Sequence, residues 1–164
     1  LSKLGFLIKN KIYLDNDISL NKRLISKSIE HFCRPKVYPN FLKNLIKTRS
    51  NKKIKRIGCT DSSDGLFQAL QDLAIASNCK AIINYEKIPK DKDWPKGDKW
   101  DEYYFFGGED YELVFSLPKK WAKNLTKLDK NINEIGFFAD GEPSIEFKDI
   151  NKKKLLNNTP FKHF

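Results

Sequence analysis

The period of the hydrophobic pattern changes between Ile54 and Ser77, and it changes across a turn that carries two carboxylates. Upstream, Ile54, Ile57 and Cys59 form a short apolar run interrupted by Lys55 and Arg56, which predicts a strand over 54–59. Downstream, Leu66, Leu70, Leu73, Ala74 and Ser77 recur at helical spacing, with Ala69 and Ala76 small enough for close packing, which predicts a helix over 64–77. Between them lies Asp61-Ser62-Ser63-Asp64-Gly65. Such a strand–turn–helix unit belongs in a fold that mixes both elements, and a turn at the carboxyl end of a strand is where open α/β sheets place ligands. The carboxylate pair has two uses. Asp or Ser before a helix caps its orphan N–H groups and complements the dipole. Two carboxylates also suit Mg²⁺, which takes one or two hard oxygens beside substrate phosphates.

Further elements follow in order along the chain. Asn16-Asp17 offers a cap for a helix over 19–32, stopped by Arg34-Pro35, and Phe41, Leu42, Leu45 and Ile46 mark a second helix. Lys80 to Tyr85 reads as a strand, and the polar stretch 90–101, with Trp94 and Trp100, reads as an exposed loop. Tyr103 to Phe106 is an aromatic lead-in to a strand over 111–117. A helix opens at Pro118, and strands are expected over 132–138 and 144–147. The order α α β α β β α β β predicts an α/β fold of the α+β type, a mixed sheet packed with helices.

With 164 residues, 40% of them hydrophobic and 12 of them Phe, the chain is long enough for one domain with a real core. No apolar run approaches the ~18 residues of a membrane span, and no signal-peptide core precedes Asn10, so a cytoplasmic protein is expected. The chain starts at Leu1 and contains no Met, which predicts that 1–164 is the C-terminal domain of a longer protein. Cys33, Cys59 and Cys79 show no CxxC spacing and are expected to be small buried hydrophobes. His31, beside Phe32, is expected to be structural.

A net charge of +10 raises nucleic acid as a partner. Against that, only Arg23, Arg34, Arg49 and Arg56 carry the guanidinium fork suited to phosphate and base edges, and 21 acidic residues are interleaved with the scattered lysines. No nucleic-acid partner is expected.

A second acidic segment tips the balance toward a metal–phosphate site, a use with which capping of the helix by Ser63 or Asp64 remains compatible. Gly107-Gly108-Glu109-Asp110-Tyr111-Glu112-Leu113 pairs glycines that allow close backbone approach with carboxylates immediately after them. Together, Asp61-Ser62-Ser63-Asp64-Gly65-Leu66 and this string resemble the C-terminal half of the thiamine-monophosphate kinases, within the aminoimidazole ribonucleotide synthetase-like superfamily. Arg34-Pro35, Ile135-Gly136 before Asp140-Gly141, and the terminal Phe161-Lys162-His163-Phe164 extend the resemblance over nearly the whole chain.

The resemblance implies ATP- and Mg²⁺-dependent phosphorylation of thiamine monophosphate to thiamine diphosphate. On that reading Asp61 and Asp64 hold Mg²⁺, Ser63 contacts ATP, Glu109 reaches the thiamine part of the substrate and Phe161 stacks on one of its rings. The alternatives are another ATP-dependent enzyme of the superfamily, selenophosphate synthetase-like or aminoimidazole ribonucleotide synthetase-like, and a basic nucleic-acid-binding module. Two positions depart from the family pattern. Ser62 stands where an Ile is usual, and Ala69 stands where an Asp is usual in the first turns of the helix. The family's first domain, with its Gly-Asp-Asp segment, further metal ligands, much of the ATP site and the homodimer contacts, has no counterpart among these residues. The 164 residues alone are therefore expected to show no kinase turnover.

Overall fold

The structure is a computed structural model that describes residues 22–34, 38–49, 53, 57–108, 110–149 and 156. The expectations for 1–21 and 54–56, and for the tail beyond Leu156, lie outside the described residues. Helices α1 (Lys22–Cys33) and α2 (Phe41–Thr48) precede strand β1 (Gly58–Asp61) and helix α3 (Leu66–Ser77). Strand β2 (Lys80–Ile83), helix α4 (Asp98–Phe106), strand β3 (Leu113–Ser116), helix α5 (Lys119–Leu128) and strands β4 (Gly136–Ala139) and β5 (Ser144–Phe147) complete the order.

The strands form two sheets where the sequence led us to expect one. β1 and β3 pair antiparallel as a separate ribbon, with Asp61 opposite Leu113 and Gly58 opposite Ser116. β2 is the centre of a mixed three-stranded sheet, antiparallel to β4 and parallel to β5. Residues 140–143 pass over the first residue of β2, Lys80, which pairs with both Ala139 and Ser144. β2 takes the central place because Ala81 and Ile83 are almost fully buried.

Helix α3 touches both sheets, so the turn that starts it is fixed relative to each. Its buried face is Ala69, Leu70, Leu73 and Ala74, at the spacing the sequence predicts. Burying each leucine contributes about 1.5–3 kcal/mol. Asn78 ends the helix in the left-handed conformation, with its N–H and that of Cys79 returned to carbonyls of the last turn. Ala69 is buried, so an acidic side chain there would need hydrogen-bonding or charged partners.

One core gathers Leu70, Ala74, Ile83, Tyr85, Phe105 and Phe147 between α3, α4 and the mixed sheet. A second joins Leu45 of α2 to Trp121 and Leu125 of α5, sealed by the Trp121 indole N–H donating to the Leu45 carbonyl at 2.9 Å. The loop expected over 90–101 ends early, because α4 starts at Asp98. Asp98 and Asp101 lie in its first turn, where carboxylates complement the dipole, and the aromatic lead-in is its buried end. Trp94 and Trp100 are half-buried and meet edge to face at 5.8 Å. Cys59 is exposed and Cys79 half-buried, so neither is the core residue expected.

Candidate functional site

β1 delivers Asp61 at its last residue, and the chain then turns through Ser62, Ser63 and Asp64 into Gly65. The Asp61 carboxylate is exposed and accepts the Ser63 N–H at 2.9 Å. The Ser63 hydroxyl, with that N–H, holds the Asp61 pKa below the ordinary carboxylate value, so Asp61 is charged at neutral pH. Asp64 is exposed and Ser63 half-buried.

The N-cap position of α3 is neither Ser63 nor Asp64. The cap residue is Gly65, with no side-chain hydrogen bond, and its carbonyl accepts the Ala69 N–H at 3.1 Å. Gly65 holds φ +97°, ψ 157°, a conformation open to glycine and costly for any other residue. The carboxylates are left at the surface, beside the positive end of the helix.

The second segment packs on the first, backbone against backbone. A Cβ on Gly65 would stand 2.7 Å from the Phe106 carbonyl oxygen, and one on Gly108 would stand 2.2 Å from the Ser63 carbonyl oxygen. Ser62 closes the junction: its N–H donates to the Glu112 carbonyl at 2.9 Å, and its hydroxyl accepts the Glu112 N–H at 3.0 Å. Between the two glycines and Glu112, Tyr111 takes φ +51°, unusual for a bulky residue. Ser62 is thus the buried bracket between the turns, a role that reading it only as a departure from the family pattern missed. Ser62→Ala leaves the Glu112 N–H without its acceptor and is expected to cost about 1–2 kcal/mol in urea denaturation. An unchanged midpoint would remove the bracket.

The structure therefore brings the turn of Asp61, Ser63 and Asp64 together with Gly108 and Glu112, which flank position 109. Glu109 and Phe161 lie outside the described residues. Among the described residues no three His, Cys, Asp or Glu side chains stand close enough to enclose a metal. Two exposed carboxylates and a hydroxyl fit Mg²⁺ all the same, because that ion keeps waters and phosphate oxygens among its ligands. The N-terminus of α3, entered through a glycine, fits a phosphate. The sequence reading missed His31, whose Nε2 lies 3.3 Å from the Asp110 carbonyl oxygen and 3.6 Å from the Glu112 carboxylate. The available signal was its place four and eight residues after Lys27 and Arg23, on one face of a helix.

No family model matches the chain. A thiamine-monophosphate kinase of Prochlorococcus marinus is 32% identical over 164 residues, all of this chain and 49% of the relative. The chain is homologous to thiamine-monophosphate kinases. Another, from Nitrosopumilus maritimus, is 36% identical over 108 residues, 63% of this chain and 34% of the relative. The chain spans about half the length of the curated thiamine-monophosphate kinases it matches end to end. Solved structures carry the same fold. That of the Stenotrophomonas maltophilia thiamine-monophosphate kinase superposes with a TM-score of 0.63 at 20% identity, over 90% of this chain and 46% of the other. AaThiL complexed with AMPPCP and TMP gives a TM-score of 0.60 at 24% identity, over 89% and 43%. The α/β fold expected from the sequence is thus the fold of these kinases.

Proposed function

We propose that this chain is the C-terminal domain of a thiamine-monophosphate kinase and supplies one half of its active site. The reaction is transfer of the terminal phosphoryl group of ATP to thiamine monophosphate, giving thiamine diphosphate. The observation that carries the reading is the pair of interlocked turns, which holds Asp61 and Asp64 exposed at the start of α3. Phosphoryl transfer asks a protein for positioned charge more than for covalent chemistry, and this junction is a rigid source of it.

Asp61 and Asp64 are the residues that would hold Mg²⁺. When bound, Mg²⁺ neutralises phosphate oxygens and keeps donor and acceptor in line. Ser63 fixes the Asp61 carboxylate and faces ATP, and the first N–H groups of α3 favour a phosphate at the same place. Glu109 is assigned to the thiamine part of the substrate, and Phe161 to stacking on one of its rings. Both roles rest on the family resemblance. The remaining half of the protein supplies the other metal ligands, most of the ATP site and the dimer contacts. A cytoplasmic location completes the proposal; among the described residues no helix is long and apolar enough to cross a membrane. The complex of AaThiL with AMPPCP and TMP supports the pairing of ligands.

Product analysis on the protein at its natural length tests the reading. Thiamine monophosphate is offered beside the acceptors of the related ATP-dependent enzymes. Thiamine diphosphate formed only with ATP and Mg²⁺ present is the expected result. Turnover of another acceptor in its place would overturn the assignment.

A further inference from the structure

We infer that α1 is a basic strap that holds the Asp110–Glu112 segment in place against the Asp61–Gly65 turn, with His31 as its positioning residue. Arg23, Lys27 and His31 follow one another at four-residue intervals, so they share one face of α1. Arg23 bonds to the carboxylates of Asp91, at 2.6 Å, and Asp93, and Lys27 reaches Asp91 at 3.3 Å. Asp91 and Asp93 lie on the approach to α4, whereas Asp110 and Glu112 follow its end. The single face of α1 therefore ties down both ends of α4. The end tied by His31 is the one that runs through Gly107 and Gly108 onto the backbone of Ser63 and Asp64.

His31 suits this task in a way a lysine would not. The Asp110 carbonyl only accepts, so His31 Nε2 donates to it, and a planar ring fixes that N–H in direction. The groups around the same segment are Ser62 from the turn, and Tyr104 and Tyr38, both of which feel the charge of Glu112. Burial first, then the carboxylates of Asp110 and Glu112, keeps the Tyr104 phenol protonated. Given the kinase reading, the strap holds the backbone at Asp110, next in sequence to the residue assigned to the acceptor, and so bears on acceptor fit.

The test is amide hydrogen exchange over 107–113 in the protein at its natural length, paired with kinetics. His31→Ala is expected to speed exchange there about fivefold, the worth of one hydrogen bond, with α3 and β2 unchanged. His31→Gln, which keeps a side-chain N–H near the place of Nε2, is expected to restore it. In the same variants KM for thiamine monophosphate rises and recovers while kcat holds within about twofold. Unchanged exchange in His31→Ala, a Gln variant no better than Ala, or equal loosening of α3 and β2 would each overturn the strap. If the parent protein makes no thiamine diphosphate but the local exchange effect stands, the kinase reading fails and the strap remains.

Discussion

Asp64→Asn is expected to lower turnover of the natural-length protein about 100- to 1,000-fold, the usual cost of losing one fixed charge from a phosphoryl-transfer site. Its melting temperature should fall by no more than about 4 °C, because the residue is exposed and a charge beside a helix start is worth about 0.3–1 kcal/mol. The two halves of that expectation have separate grounds. Asn keeps the volume and one carbonyl oxygen of Asp and removes the charge. The N-cap position of α3 is Gly65, not Asp64, and Asp64 is exposed. A residue kept for folding alone would show the opposite pattern, with lost stability and preserved rate. Titrating Mg²⁺ separates the metal role from a general electrostatic one: the variant should need a much higher concentration for half its activity. Full turnover at millimolar Mg²⁺ would take Asp64 out of the metal site.

The sequence made this turn visible because everything that defines it is local. A strand pattern, two carboxylates three residues apart and a helical pattern fall within some twenty residues, and α3 forms where the periodicity places it. What lies far apart in the chain was hidden. Ser62 meets Glu112 across 50 residues and His31 meets Asp110 across 79, and neither partner carries a mark of the other. α4 escaped notice for a different reason. It is capped by Gly97 in place of a Ser, Thr or Asp, and its burial is not a single apolar stripe, because Asp101 is buried along with Phe105 and Phe106. The Asp101 carboxylate sits 3.3 Å from Lys90 Nζ, which itself lies over the Tyr85 ring, so a charged residue occupies a place where pattern reading expects a hydrophobe. The separation of β1 and β3 into their own ribbon was equally illegible, because strand order is set by which faces α2, α3 and α5 cover.

Gly108→Ala tests the junction itself, with no charge and no polar group altered. The added methyl would lie 2.2 Å from the Ser63 carbonyl oxygen and 3.2 Å from the Asp64 Cα. Both are backbone atoms, so no rotamer change relieves the clash, and the two turns must move apart. The expected cost is about 2–3 kcal/mol, as for an overpacked core site. Turnover should fall about 100-fold, since a displacement near 1 Å is enough to misalign a positioned site. Gly97→Ala is the matched control at the other end of α4. Its φ of +120° makes the substitution a backbone strain, yet nothing stands within 4 Å of the new methyl. That variant should therefore lose some stability and keep its rate per folded molecule. A Gly108→Ala protein with unchanged turnover would mean that the turns carrying Asp64 and Asp110 are not held by this contact. Loss of rate beyond the loss of folded protein, at position 108 and not at 97, is what a shared site built from two interlocked turns requires.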